Sequence, residues 1–397
     1  MGDALLVFNA GSTSLKFAAY GIDEMRAPLP DVSGSVEGLQ GAARFAVESA
    51  TGQSLATHEW PKGHPIDHDA ALRFAVAWLR GHLSGARIVA AGHRMMLGGP
   101  RHAGPVRIDA QVLETLEAQS AMEPSHQPFN VRGARAVAAL MPGLPQVACF
   151  DSSFHRTMPE AARTYALPGD VRGAGIRHRG YHGLSYEYVS GRMRELAPAA
   201  RRVIVAHLGG GSSLCAMLDG RSIETTMGLS GLSGLPMATR SGDIPPDVLL
   251  YLLRSGQFDI ASVEKMLYER SGLLGLSGIS GDMRVLQDSQ EPGAICAVRQ
   301  FAYAMTKYIG AYAAVLDGLD ALVLTGGIGE HSHQVRAALC RQLASLGVVL
   351  DEEANRSGSA VISAPQSRVS IRVIATNEAL VIARHTLALL DNAAEGR

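Results

Sequence analysis

The sequence predicts an α/β protein made of two related halves, on three observations. An apolar run, a turn of small hydroxyl residues and a second apolar run occupy residues 5–20. The same design returns at residues 203–221, and short apolar runs alternate with helix-patterned segments along the rest of the chain. In the first copy Leu5-Leu6-Val7-Phe8 leads into Asn9-Ala10-Gly11-Ser12-Thr13-Ser14-Leu15-Lys16. Asn9, Ser12 and Ser14 can donate hydrogen bonds, Gly11 lets backbone N–H groups approach an anion, and Lys16 adds a point charge. This reads as a phosphate-holding hairpin, although a Gly/Ser turn taken singly is more often an ordinary one. Residues 25–61, polar and Gly-rich, read as strands with surface loops, and 70–83 as a helix.

Further along, the apolar run 88–91 delivers Arg94 to a strand end beside Gly92, Gly98 and Gly99, and Arg240 sits comparably in Thr239-Arg240-Ser241-Gly242-Asp243. Either arginine alone reads more readily as a surface ion-pair partner, but their paired occurrence shifts that balance toward anion binding. The strand-like run 147–150 ends on Asp151, a position from which a carboxylate is aimed into a cleft rather than buried, and His182 stands between Tyr181 and Gly183. In the second copy of the hairpin, Val203-Ile204-Val205-Ala206-His207-Leu208 precedes Gly209-Gly210-Gly211-Ser212-Ser213. Pro245-Pro246-Asp247 opens a helix over 248–253, since proline is tolerated in a first turn but not inside. A long helix is expected over 294–316. The strand 322–325 runs into the cluster Gly326-Gly327-Ile328-Gly329-Glu330, where a flat nucleoside can lie against the backbone, and Ser332 caps the helix that follows. The last strand, 371–375, leads to Thr376-Asn377-Glu378. Strand-end carboxylates position magnesium or water in nucleotide-binding α/β folds. The plain alternatives are a structural histidine at His182 and a helix-start carboxylate at Glu378.

Composition narrows the function. A chain of 397 residues, 47% hydrophobic and 18% charged, is expected to form two globular domains. The net charge of −1 supplies no general attraction to nucleic acid or anionic membrane, so any anion is held by locally placed arginine and lysine. The apolar runs fall far short of the roughly 20 residues that span a bilayer. Gly2-Asp3 replaces the basic start of a signal peptide. Cys149, Cys215, Cys296 and Cys340 lack metal-site spacing and are expected to be buried, reduced thiols of a cytoplasmic protein.

Taken together, the ordered motifs resemble the acetate kinase family, the short-chain carboxylate kinases of the acetokinase group. They run from Phe8 to Ala383: Asn9 to Phe17, Gly92-His93-Arg94, Phe150-Asp151 through His155 to Glu160, Tyr181-His182-Gly183, His207-Leu208-Gly209, Thr226-Met227-Gly228, Thr239 to Asp243, Gly327 to Glu330, and Thr376-Asn377-Glu378. The resemblance implies the duplicated ribonuclease-H-like, actin-like α/β fold, with nucleotide between two domains. The domains are expected at 1–150, completed by about 380–397, and at 151–379, the second carrying a homodimer interface. It implies ATP/ADP and Mg2+, with Mn2+ as a substitute, and a short-chain carboxylate, acetate or propionate. Asn9, Ser12, Ser14 and Lys16 would form the first phosphate element, and His207, Leu208, Gly209, Gly210 and Gly211 the second. Asp282, Met283, Arg284, Gly327, Ile328, Gly329 and His331 would form the adenosine pocket. Arg94, Asp151, His182 and Arg240 fall on catalytic positions, and Asn9 and Glu378 on magnesium-associated ones.

Departures from the family pattern gather at the acid-binding positions. Met95, Met96 and Leu97 follow Gly-His-Arg in place of two valines and a histidine, Ser125 stands for leucine, Tyr181 for phenylalanine, and Gly231 for proline. The pocket therefore reads as wider or more polar than one built for acetate, and one methylene is worth only about 1–3 kcal/mol of discrimination. Gly210 and His331 each replace asparagine near the nucleotide. The main expectation is acetate kinase activity. The alternatives are a propionate or other small-acid kinase and, in a different class, an actin-like ATP-dependent switch protein without transferase activity. Two arginines beyond the γ-phosphate argue against the switch.

Overall fold

The computed structural model describes residues 2–395 apart from positions 40, 62 and 64. Two compact units are formed: Met1–Ser153 with Asn377–Arg397, and Phe154–Thr376. The chain crosses between them at 153/154 and 376/377, so Asp151 and Glu378 both belong to the first unit.

In the first unit β1 (Asp3–Ala10), β2 (Ser14–Ile22), β3 (Pro28–Glu37), β4 (Arg44–Ser49), β5 (Ser54–Glu59), β6 (Arg87–Met95), β7 (Val106–Arg107) and β8 (Gln146–Phe150) form one sheet of order β5-β4-β3-β2-β1-β6-β8-β7. Strands β1 to β5 pair antiparallel as successive hairpins, whereas β1, β6 and β8 run parallel. Period-2 alternation sends Leu6 and Phe8 of β1 into a cluster with Phe17, Phe45 and the apolar face of helix α1 (His68–His82), whose start is capped by Asp67. Helix α2 (Gln127–Leu140) adds Val137 to that layer. The C-terminal helix, Glu378–Glu395, packs on β6. A Cβ at Gly92 would stand 2.5 Å from Ile382 Cγ2 and 2.4 Å from Thr386 Oγ1, so glycine is required for this close approach.

The second unit repeats the scheme with β9 (Arg202–Leu208), β10 (Ser212–Leu218), β11 (Arg221–Thr225), β12 (Ala321–Thr325) and β13 (Ser370–Val373) in the order β11-β10-β9-β12-β13. Again an antiparallel hairpin is followed by parallel neighbours. Buried on both faces, β9 divides its side chains between two layers. Val203 and Val205 meet Tyr186, Val189 and Met193 of helix α3 (Gly183–Leu196), while Ile204, Ala206 and Leu208 meet the layer containing Met283 of α4 (Met283–Asp288) and Phe301, Met305 and Ile309 of α5 (Pro292–Val315). The glycine cluster itself forms a short helix, α6 (Gly326–His331), and Ser332 caps α7 (His333–Gln342) through the Val335 N–H. Cys149, Cys215 and Cys340 are buried free thiols, but Cys296 is exposed, contrary to the expectation for all four. Among the described residues, no helix is long and apolar enough to cross a membrane.

Candidate active site

Ligand sites of parallel α/β sheets form beyond the carboxyl ends of the strands. In the first unit, Phe8 of β1 pairs with His93 of β6, and Met95 of β6 with Phe150 of β8. Asn9, Arg94 and Asp151 therefore emerge from the same end of three adjacent strands. Arg94 Nη2 donates to Asp151 Oδ2 at 2.6 Å, its Nε faces both Asp151 oxygens at 3.2 Å, and Nη1 lies 3.3 Å from Glu378 Oε2. Burial works against the guanidinium charge, yet the two carboxylates outweigh it and raise the Arg94 pKa above its ordinary value. Asp151 is fully buried, which corrects the expectation of a carboxylate open to a cleft: a side chain aimed at a guanidinium needs no water. Glu378 is the first residue of a helix, as the plain alternative expected, and it also neighbours Arg94, a contact the sequence reading did not foresee.

The first glycine turn is shaped by residues that sequence reasoning missed. Gly11 N donates to Ser14 O at 2.8 Å, closing the turn, and Asn9 stands opposite Lys16 in the β1–β2 register. His68 Nε2 donates to the Gly11 carbonyl at 2.6 Å, and Asn130 Nδ2 to that of Ala10 at 2.6 Å. These two side chains, each on a helix packed beside the turn, bind its carbonyl oxygens. That occupies the acceptors which would repel an anion there.

The second unit assembles its own constellation. Register pairs His207 of β9 with Thr325 of β12, so the second glycine turn and the α6 cluster leave the sheet side by side. Ala238 N donates to Gly210 O at 3.2 Å, drawing the turn toward the loop that carries Arg240. That loop is braced from behind: Ser271, Leu273 and Leu274 donate their N–H groups to Thr239, Met237 and Ala238. The point where a Cβ would stand on Gly211 is 3.0 Å from Arg240 Nη2 and 3.3 Å from His182 Nε2. Two nitrogen donors thus converge over a glycine. His182 adopts φ +58°, a left-handed conformation that is uncommon for a non-glycine residue and costs stability. Its Nδ1 is 2.8 Å from Ser213 Oγ, and its ring stacks on His207 with centroids 4.3 Å apart. Behind it His155 is buried, with a pKa pushed down to about 4 by desolvation, and as a neutral ring it donates from Nε2 to the Tyr181 carbonyl.

At the expected adenosine positions, Gly327 and His331 are exposed and Ile328 is partly so. Asp282 caps α4 through the Arg284 N–H and pairs with the Arg284 guanidinium at 2.6 Å. Gly329 is buried, and so is Met283. The Met283 side chain is 3% exposed and belongs to the apolar core, because the helix that Asp282 caps turns its first residue inward; only its backbone remains for a ligand. Leu208 is likewise a core side chain, offering main-chain atoms beside Gly326. Among the described residues there is no cluster of three or more His, Cys, Asp or Glu side chains able to hold a metal ion unaided. Asp151 and Glu378 are two carboxylates gathered on one guanidinium. Together with phosphate oxygens, that donor set suits magnesium, which commonly takes one or two carboxylates plus substrate phosphate.

The chain resembles known proteins along nearly its whole length. The Acetokinase family model matches residues 4–384. An acetate kinase of Rhodopseudomonas palustris is 45% identical over 98% of this chain and 99% of its own, and one of Nitrobacter hamburgensis is 46% identical over 98% and 96%. Among solved structures, a Porphyromonas gingivalis acetate kinase superimposes with a TM-score of 0.85 at 33% identity, covering 98% of this chain and 100% of that one. A propionate kinase from Francisella tularensis superimposes with 0.88 at 34%, covering 96% and 98%. The chain belongs to the Acetokinase family and carries its two-sheet, actin-like ATPase fold.

Proposed function

We propose that the protein is an acetate kinase, transferring the γ-phosphoryl group of ATP reversibly to a short-chain carboxylate to give an acyl phosphate and ADP. The observation that carries this reading is the convergence of Arg240 Nη2 and His182 Nε2 over Gly211, in a chain 45% identical to an acetate kinase along its length.

Two anions must meet. At about 4 Å and an effective dielectric near 20, each pair of like charges costs about 4 kcal/mol, which fixed cations can offset. Arg240 and His182 sit on the equatorial oxygens of the transferring group, stabilising charge as it spreads there. Arg94 binds the carboxylate through the N–H groups of Nη1 and Nη2 that its pairing with Asp151 and Glu378 leaves over. Asn9, Ser12, Ser14 and Lys16 hold phosphate on the first unit. On the second, His207 and the backbone from Gly209 to Gly211 do so, while Asp282, Arg284, Gly327, Ile328, Gly329 and His331 take the nucleoside. Magnesium, with Asn9, Asp151 and Glu378 as its oxygen donors, would neutralise the β/γ oxygens when bound. An aliphatic acid of pKa about 4–5 is already ionised at pH 7, so no general base is needed. Asp151, facing Arg94 with both oxygens, is therefore a metal or geometry residue rather than a base.

Propionate is the second reading, and two hydrogen bonds favour it over a polar acid. The Tyr181 hydroxyl donates to the Leu229 carbonyl at 2.6 Å, and the Ser125 hydroxyl donates to Glu123. With both added hydroxyl protons used internally, the substitutions offer room more than polarity. Tyr251 and Ile260, 72% and 77% exposed on the second unit, are the surface on which a homodimer would form, in a cytoplasmic enzyme.

Hydroxamate trapping of acyl phosphate across formate, acetate, propionate, butyrate and a hydroxy acid tests the proposal. Acetate or propionate should lead, and Arg240→Ala should abolish the signal. Silence across the panel with ATP binding intact would favour the switch protein instead.

A further inference from the structure

A continuous set of hydrogen bonds in the second unit runs from the glycine cluster to the stacked histidines. One carboxylate oxygen, Glu330 Oε1, accepts from Gly326 N at 2.8 Å, Thr376 N at 3.2 Å and Thr325 Oγ1 at 3.3 Å. The carboxylate thus clamps the start of α6 to the segment that follows β13. Held there by its backbone, Thr376 places Oγ1 2.8 Å from Ser185 Oγ, and Ser185 Oγ is 2.8 Å from His207 Nδ1. The His207 ring lies against His182. Ser185 is fully buried, so its hydroxyl has no bulk water to turn to, and losing a neighbour leaves an unsatisfied group.

We propose that Glu330, Thr376 and Ser185 are positioning residues that fix the His207 ring, and through its stack the His182 ring, from the nucleotide-binding cluster. None of the three is needed to touch substrate. Glu330 already accepts three donors with one oxygen, and the two hydroxyls bond each other. Ser185, by bonding Nδ1, fixes the orientation of the His207 ring and so where Nε2 points. The functional consequence rests on the kinase reading; the geometry does not.

The test compares Thr376→Val, which keeps the shape and removes the hydroxyl, with Thr376→Ser, which keeps the hydroxyl, and adds Ser185→Ala. Two readouts are taken on the full chain: steady-state kinetics of acyl phosphate formation, and the Nδ1 nitrogen NMR shift of His207 in protein labelled with 15N-histidine. Thr376→Val and Ser185→Ala should each lower kcat about tenfold with KM for ATP within twofold, and should move the His207 Nδ1 resonance. Thr376→Ser should restore both, and the double variant Thr376→Val with Ser185→Ala should be no worse than either alone. A Thr376→Val protein with wild-type kcat and an unmoved resonance would overturn the proposal. So would equal losses in Thr376→Val and Thr376→Ser, which would point to packing. If wild-type protein makes no acyl phosphate, the kinase reading fails, while the nitrogen shifts still decide whether the bridge holds His207.

Discussion

Arg94, on β6, and Asp151, one residue past the end of the neighbouring parallel strand β8, form a buried ion pair at 2.6 Å. The same guanidinium reaches Glu378. This one cation therefore joins the middle of the first unit's sheet to the helix that closes the chain.

Replacing Arg94 by Ala leaves the fully buried Asp151 carboxylate without its counter-ion. Breaking a buried pair this way costs about 3–5 kcal/mol, whereas Asp151→Asn leaves Arg94 its second partner, Glu378. Urea unfolding should show Arg94→Ala as the less stable of the two. In whatever remains folded, KM for the acid should rise far more than KM for ATP. Equal rises would remove Arg94 from the acid.

His182 and Arg240 approach one point over Gly211, so each should contribute to the transition state and little to the ground state. His182→Ala and Arg240→Ala are each expected to lower kcat by about 10²–10³ with KM values nearly unchanged. Parallel losses in KM alone would mark them as binding groups.

Both units contain a buried neutral histidine, and acid should find them. Desolvation pushes His93 and His155 down to about 4, against about 6.5 in the unfolded chain. Between those values the unfolded state binds protons that the native state refuses. Their stability contribution is thus fully present above pH 6.5 and is lost as pH falls toward 4, about 2 kcal/mol for each histidine by pH 5. Urea midpoints from pH 7 to 5 should fall accordingly, and His155→Gln should flatten the slope. An unchanged slope in that variant would show that His155 is not the group titrating.

Glycines of similar appearance should differ sharply. Gly92→Ala would drive a methyl into Ile382 and Thr386, and overpacking of this kind costs about 1–3 kcal/mol. Gly210 has nothing within 4 Å of where a Cβ would stand, so Gly210→Asn should melt within a degree or two of the parent. The added amide near the phosphate turn should raise kcat/KM for ATP. A melting loss at Gly210 as large as at Gly92 would contradict both placements.

What the sequence determined by itself was local and repetitive. Short apolar runs marked β1, β9 and β12, three- and four-residue apolar spacing marked α1 and α5, prolines and serines set helix starts, and the doubled hairpin announced two related halves. Motif order was enough to name the family. The tertiary structure decided what depends on contacts between distant segments. Asp151 was expected at a cleft and is buried because a strand 57 residues away brings Arg94 to it. Met283 was expected at the nucleoside and faces the core because α4 packs against α5. His68 and Asn130 hold the first glycine turn, and Glu330, Thr376 and Ser185 reach His207, yet no spacing rule relates these positions along the chain. Hydrogen bonds between remote residues are specified by strand register and helix packing. A periodicity can show which face of an element is buried, but not which side chain will meet it there.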